Sequence, residues 1–465
     1  MVSSDARLTA IGSERSHDWC SRFVPAIHPL MTLLHWHWYL HSVSQDQDVN
    51  AGGISTERKG NSVPARIRSV LDMPASNSRP RIAIASSGLG HVSRGIESWA
   101  EDLGQALRRS GANVTLFQGG GSSTESWRRV LPCLRRFETP SARVLSFTRR
   151  LGGWRYGLGS QYEIEQATFS FALWRSTFST FDILHMQDPL IASWMDRLNR
   201  LGLSRPRVIL AHGTEESYDV LSKVSYLQHL TPGYRDDYEF HRPASQLSFG
   251  IPNFIDIERF RPPSDAAARA DARAAFNLSP ESLVILCVAA LKKRHKRCDY
   301  LIQEFAHFRA QLPVELATKA ILVMAGGRDA ETPDLIAMGK SLLGNSVLFL
   351  ESVDRDRLAS LYQAADIFAL ASLHEMMPIA LLEALASGLP ATCNNTPTLR
   401  WMAGQGGQPL DISEPGGLVR QWSQLLNPMV RLELSRNARA HIEATFSEPF
   451  VLEQIQDMYR KVLNS

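Results

Sequence analysis

Short apolar runs alternate with longer segments of helical period along residues 80–465, and the alternation recurs in two halves. In the first half, residues 81–85 (Arg-Ile-Ala-Ile-Ala) predict a buried strand and residues 86–91 a glycine-containing turn. Residues 94–110 then predict an amphipathic helix that Gly111 ends. Further strands are expected at 114–117, 183–185 and 208–211. The second half opens with a strand at 283–288 and a helix around 300–311, followed by strands at 320–324, 347–350 and 367–370. Strands separated by helices of about 10–15 residues indicate βαβ units and parallel sheets. The expected fold class is therefore α/β, with two Rossmann-like domains whose parallel sheets face an interdomain cleft.

The chain has 465 residues, 44% of them hydrophobic, with 50 Lys and Arg against 47 Asp and Glu. This excludes a disordered or fibrous chain, and a net charge of +3 gives no ground for a nucleic-acid partner. Five scattered cysteines match neither a zinc site nor a secreted disulfide framework, which points to a reducing, cytoplasmic compartment.

Residues 1–79 lack this periodicity and read as an extension without order or chemistry of its own. Within it, 23–45 is free of formal charge but broken by Pro25 and Pro29. Its His28, His35, His37 and His41 read as part of a leader rather than a metal site. No signal-peptide pattern precedes it, and Met73 stands where a shorter product would begin. The domains expected are 80–258 for the acceptor, 275–440 for the donor and 441–465 as a closing helix. Residues 256–274, with Pro262, Pro263 and several alanines, are expected to link them.

The chemistry is concentrated in residues 372–390, Ser-Leu-His-Glu375-Met-Met-Pro378-Ile-Ala-Leu-Leu-Glu383-Ala-Leu-Ala-Ser-Gly388-Leu-Pro390. A strand ends near Leu370, a turn holds Glu375 and a helix starts near Pro378, a residue favoured at the first helical position. That helix N-terminus lies at the carboxyl edge of a parallel sheet, where free N–H groups and the dipole suit a diphosphate. Glu375 and Glu383 are placed to accept hydrogen bonds from sugar and ribose hydroxyls.

Two glutamates seven residues apart, followed by Leu-Glu-Ala-Leu-Ala-Ser-Gly-Leu-Pro, resemble the signature of glycosyltransferase family 4. The resemblance implies a retaining, nucleotide-sugar-dependent enzyme of the GT-B fold, and it extends over most of residues 80–465. Residues 288–302 resemble the family's second-domain opening, where an Arg and a following Lys hold the donor diphosphate. Lys296 takes the Lys position, but Ala290 stands at the Arg position, with Lys292, Lys293 and Arg294 as candidate substitutes. Residues 251–260 resemble the interdomain hinge, with Phe254 in place of the usual glycine. Residues 450–463 resemble the helix that crosses back onto the first domain.

By the same resemblance, His212, at the end of a buried strand, is the histidine beside the reacting sugar. Lys296 and Glu375 complete the catalytic group, while His185 is a weaker candidate. Glu383, Met376, Met377 and Ile379 are implied as donor-binding, with Met376 and Met377 standing where glycines are commoner. Arg297, Gly326, the backbone at Val353, and Gly90 in the glycine-rich first turn are implied as further donor contacts. His91 beside Gly90 is as readily a turn residue as a ligand.

Lys296 and the helix N-terminus would supply positive charge to the leaving diphosphate without a metal, and no aspartate-rich motif calls for one. No cofactor is expected beyond the nucleotide-diphosphate sugar as co-substrate, and the acceptor is a carbohydrate, lipid or small-molecule hydroxyl. Residues 126–155 hold eight arginines against Glu138, interleaved with Trp127, Leu131, Phe137, Leu145, Phe147, Leu151 and Trp154. Such a face fits an anionic membrane surface, and this is where membrane-associated members of the family carry surface helices. It implies peripheral contact at the inner face of the cytoplasmic membrane, with a solvated face or an acidic-acceptor site as alternatives. No nucleic-acid motif accompanies it. The rival readings are a catalytically silent sugar-nucleotide-binding protein, which Ala290 favours, and another enzyme of the same fold such as a nucleotide-sugar epimerase or a phosphorylase. A two-carboxylate glycosidase is disfavoured, because these glutamates sit where a phosphate site is built.

Overall fold

The central apolar runs become strands buried on both faces, as parallel sheets demand, while the run at 347–350 becomes a half-buried edge strand. The computed structural model describes residues 79–92 and 94–465. The expectations for residues 1–78, including the histidine-bearing stretch and Met73, lie outside the described residues. The described chain forms two compact units, Cys133–Phe171 and the remainder, which joins the segment up to Pro132 to Ala172–Ser465.

The larger unit contains two sheets. The first is built from β1 (Arg81–Ser86), β2 (Asn113–Gln118), β3 (Arg128–Val130), β4 (Ile183–Met186), β5 (Arg207–His212), β6 (Tyr226–His229) and β7 (Leu247–Gly250), in the order β3-β2-β1-β4-β5-β6-β7. The second comprises β8 (Leu283–Val288), β9 (Ala320–Gly326), β10 (Val347–Glu351), β11 (Ile367–Ala369) and β12 (Ala391–Thr392), in the order β10-β9-β8-β11-β12. Every strand pairing is parallel. This is the expected pair of Rossmann-like sheets.

The predicted strands are present and differ at their ends by one or two residues. Strands β3, β6, β7 and β12 were not expected, because Arg-Arg-Val, Tyr-Leu-Gln-His, Leu-Ser-Phe-Gly and a two-residue segment carry too little apolar signal. The linker expectation is corrected in part: its last nine residues form the helix Ala266–Ala274. Asp265 caps that helix by accepting from the Ala268 amide at 2.8 Å, and the alanine run propagates it. Arg269 and Arg273 then pair with Asp366 at 2.6 and 2.8 Å, tying the helix to the second sheet.

The closing helix, Glu448–Leu463, packs against elements of the first sheet. The Tyr459 hydroxyl bonds Nδ1 of buried His185 at 2.8 Å, and Gln456 donates to the Ser110 hydroxyl at 3.2 Å. Arg109 pairs with Glu448, and the chain crosses between domains through Ile255, whose amide donates to the Phe446 carbonyl at 2.8 Å.

Within the smaller unit, the Arg136 guanidinium reaches Glu165 Oε1 at 2.5 and 3.1 Å and lies 4.2 Å from the Tyr162 ring centroid. Its helix, Thr139–Arg150, inverts the usual pattern. The side chains it buries are Ser141 and Thr148, while Phe137, Phe147, Leu151 and Trp154 around it are 84%, 63%, 66% and 51% exposed. Among the described residues no helix is long and apolar enough to cross a membrane.

Candidate active site

The carboxyl ends of the two sheets supply the site. After β11 the chain runs through a turn carrying Glu375 into the helix Ile379–Ala386, with Pro378 at the cap. Lys296, from the loop after β8, places its ammonium on Glu375 Oε1, and both side chains are mostly buried, at 19% and 9% exposure. Glu383 lies on the same helix, buried, and accepts from the Tyr362 hydroxyl at 2.7 Å. Burial, reinforced by the Glu383 charge, pushes the Tyr362 phenol well above its usual range, so it remains a donor. Lys296 and Glu375 therefore meet in the turn before the helix N-terminus, and Glu383 lies one turn further along the same helix.

The basic loop holds its shape through the backbone. Glu331 accepts from the Lys293 and Arg294 amides at 2.8 and 3.3 Å, and His295 and Arg297 adopt left-handed conformations with φ of 71° and 49°. Arg297 turns away from Glu375, donating to the Ile412 carbonyl at 2.7 Å and stacking 3.9 Å from the Tyr300 centroid. Lys293 lies 3.7 Å from Asp334. Lys292 and Arg294 make no ion pair among the described residues.

Gly326 ends β9 at φ 155°, where a Cβ would lie 1.8 Å from the Ala289 carbonyl oxygen. Only a glycine lets these two strand ends meet there. Its carbonyl accepts from the Ser352 amide at 3.0 Å, which sets the turn leading to half-buried Val353. Met377 is buried, and its sulfur accepts from the Asn253 amide at 3.3 Å across from the hinge segment. Met376 and Ile379 are half-buried beside it.

On the first sheet, Gly90 has φ 93°, and a Cβ there would overlap the Gly120 carbonyl at 2.2 Å. The Gly120 amide donates to the Leu89 carbonyl at 3.0 Å, so the loops after β1 and β2 interlock. The second loop was missed in the sequence, although Gly119-Gly120-Gly121 directly after a strand is its signal. His212 ends β5 and stands in register with His229 at the end of β6, their Nδ1 atoms 3.3 Å apart. Nothing in the sequence marked His229, because its strand was not recognised. His185 packs edge-on against Trp99 and bonds Tyr459, which places it in the docking of the closing helix. Burial raises the Tyr234 phenol above its ordinary range, and its ring centroid lies 6.0 Å from that of His212.

Burial pushes imidazoles down from the ordinary value near 6.5, furthest for three of them: His185 to about 3, His212 to about 4 and His229 to about 3. Their unfolded-state values lie above their folded ones, so the stability they contribute is complete above about pH 6.5 and is lost as pH falls toward 4. Thermal unfolding is expected to show a flat melting midpoint above pH 7 and a steep fall below pH 6, with up to three protons taken up on unfolding. A midpoint unchanged from pH 7 to 4.5 would sink this account. Among the described residues no three His, Cys, Asp or Glu side chains are grouped to hold a metal ion, and Cys287, Cys298 and Cys393 are buried thiols.

Residues 268–438 match the glycosyl transferases group 1 family. The D-inositol 3-phosphate glycosyltransferase of Saccharomonospora viridis is 30% identical over 226 residues, 45% of this chain and 49% of that protein. The chain thus spans about half the length of the curated relatives it matches. Sucrose-phosphate synthase from Thermosynechococcus elongatus has a TM-score of 0.66 at 18% identity, covering 83% of this chain and 100% of that one. Anabaena HepE, solved in complex with UDP and glucose, has a TM-score of 0.61 at 14% identity, covering 82% of this chain and 100% of that one. At these identities the likeness is one of fold. Residues 268–438 thus match the glycosyl transferases group 1 family, and the chain that carries them has the GT-B fold.

Proposed function

We propose that the protein is a retaining glycosyltransferase that moves a hexosyl group from a nucleotide-diphosphate sugar to an acceptor hydroxyl, with no metal or further cofactor. The observation that carries this reading is the Lys296–Glu375 pair at the N-terminus of the Ile379–Ala386 helix, with Glu383 on the same helix. As the glycosidic bond breaks, negative charge grows on the departing diphosphate. Lys296 and the helix N–H groups meet that charge, which a pre-organised site stabilises strongly. Glu375 then holds the sugar hydroxyls and Glu383 the ribose, while the His212 imidazole lies beside the sugar. The acceptor attacks from the face the nucleotide leaves, and the departing phosphate takes its proton. The complex of HepE with UDP and glucose supports a uridine donor as the first to try. The Saccharomonospora relative's name supports small polyol acceptors, alongside glycans and lipids.

The test is nucleotide release from UDP-, GDP- and ADP-sugars with added acceptors, including membrane lipid extract. Release that needs both donor and acceptor supports transfer. Donor binding without release under any acceptor supports the second reading, a silent sugar-nucleotide-binding protein, which Ala290 at the expected arginine position favours.

The setting proposed is cytoplasmic, with peripheral contact at an anionic membrane through residues 126–155. The exposed Phe147, Leu151 and Trp154 support it, as do Arg143, Arg149 and Arg150, which make no ion pair among the described residues. Apolar side chains enter the headgroup boundary while arginines meet anionic lipid. Co-sedimentation with phosphatidylglycerol vesicles is expected, weakening with salt and falling about tenfold or more in the Phe147→Ser, Leu151→Ser double variant. Equal binding of variant and wild type, or no preference over phosphatidylcholine, would refute the contact.

A further inference from the structure

The second sheet carries a crevice at its amino edge, the edge away from Lys296 and Glu375. Asp366 directly precedes β11, Pro390 directly precedes β12, and both line a cavity of about 170 Å³. Arg269 reaches it from the helix Ala266–Ala274, and Arg431, Leu432 and Ser435 from the helix Pro428–Thr445. Ser387 and Gly388 place it just past the end of the helix Ile379–Ala386. That helix has eight residues, so about 12 Å separates the cavity from the Glu375 turn. The lining side chains offer more hydrogen-bond donors than acceptors. Asp366, the one acid lining the cavity among the described residues, is already engaged: Oδ1 accepts from Arg269 at 2.6 Å, and Oδ2 from Arg273 and the Val284 amide, each at 2.8 Å. The Tyr362 hydroxyl is committed to Glu383 and the Gln363 amide to the Arg261 carbonyl at 3.0 Å. Arg269 makes its bonds through Nη2 and Arg431 through Nη1, the latter to the Leu425 and Leu426 carbonyls. Each guanidinium therefore keeps Nε and one terminal nitrogen for another partner, and Arg431 has no ion pair among the described residues. Ser387 is 3% exposed, and its hydroxyl oxygen has no partner in the protein, a costly state for a buried polar atom. Gly388, at φ 73°, keeps the space beside Ser435 open, because a Cβ there would lie 3.1 Å from the Ser435 hydroxyl and 3.0 Å from the Pro262 ring.

We infer that this cavity is a binding site, separate from the Lys296–Glu375 centre, for a phosphate group, either free or carried by a small molecule. Surplus donors and two cations call for a ligand that only accepts, and the planar guanidinium fork matches the oxygens of a phosphate. A carboxylate offers two oxygens and one charge. A phosphate offers three or four oxygens and close to two charges, which suits two arginines and the serine hydroxyls beside them. Pro262, Pro263 and Leu432 add apolar wall next to the arginines. A cavity of about 150 Å³ already holds a molecule the size of benzene, so there is room for a phosphate with a small body attached. The inference does not depend on the transferase reading, because none of these residues belongs to the proposed donor site.

The experiment is ¹H–¹⁵N correlation spectroscopy of the arginine side chains in the full chain, titrated with inorganic phosphate at an ionic strength held constant with chloride. The Arg431 Nε signal, assigned by its absence from Arg431→Lys, is expected to shift saturably with a midpoint of about 1 mM. The Arg269 Nε signal, assigned in the same way, should follow with the same midpoint. Because these signals report on the two arginines, phosphate bound at Lys296 does not register in them. Arg431→Gln should raise the midpoint read at Arg269 about tenfold or more, since the variant loses a charge-assisted bond. Arg431 also bonds two backbone carbonyls, so a second variant guards against misfolding. Ser435→Glu keeps both arginines, puts an anion into the cavity and should abolish the shift. Glucose 6-phosphate that moves the same signals at a lower midpoint identifies a phosphate carried by a small molecule, and an equal or higher midpoint identifies the free ion. Arg431 and Arg269 signals that stay in place, or that move no further with phosphate than with chloride, would overturn the inference. A full shift in Ser435→Glu would overturn it as well.

Discussion

On the proposed transfer mechanism, replacing Lys296 by Ala should lower kcat/KM for the donor by about 10²–10³, because it would remove the cation proposed to meet the leaving diphosphate. The structure adds a second cost. Glu375 is only 9% exposed, so deleting its partner strands a carboxylate in a mostly buried turn. Breaking a buried pair from one side is more damaging than replacing both partners together. Glu375→Gln should lower kcat/KM comparably, since an amide still bonds a hydroxyl but leaves Lys296 without a counter-charge before the donor arrives. The double variant is expected to lose far less than the product of the two single losses, because each single change already breaks the same unit. Steady-state nucleotide release gives the rates, and thermal unfolding separates stranded charge from lost catalysis. Multiplicative losses would show that the two side chains act independently and would remove the pair as the centre of the site.

The second large effect lies in the smaller unit. Arg136→Met should destabilise it by about 3–5 kcal/mol, the range for removing one partner of a buried ion pair. The Arg136 side chain is 6% exposed and that of Glu165 is fully buried. The same carboxylate accepts the Arg136 backbone amide at 2.8 Å, so methionine would keep that neutral bond and remove the counter-charge of this pair. Methionine keeps the length and apolar stem, which isolates charge from packing. Hydrogen exchange across Cys133–Phe171 should rise. Vesicle binding should fall with it, because the exposed apolar side chains are displayed by a helix of this unit. Unchanged exchange protection would mean that the pair contributes nothing to the unit.

The string from Ser372 to Pro390 was readable because turn, helix start and both carboxylates lie within nineteen consecutive residues. Local chemistry of that kind survives in a linear reading. Lys296 was readable for a similar reason, and its loop does bring it to Glu375. Arg297 stands next to it in the chain yet points elsewhere, because a left-handed residue at that position turns its side chain toward Tyr300 and the Ile412 carbonyl. The alanine-rich stretch before the second sheet looked like a tether. Its helical character came from an aspartate cap and two arginines whose partner, Asp366, lies more than ninety residues away.

The alternation of apolar runs and amphipathic segments determined by itself that this chain builds parallel sheets, since parallel strands need crossover connections and the intervening helices supply them. The string from Ser372 to Pro390 also determined that Glu375 would precede a helix start and that Glu383 would lie within the helix. Tertiary structure alone decided that His229 would face His212, that Tyr362 would hold Glu383, and that the Gly119–Gly121 loop would lock onto Gly90. It also left the apolar side chains around Thr139–Arg150 facing outward. The physical reason is strand register and packing: which residue ends beside which is set by pairing between segments distant in sequence, and no local pattern encodes it.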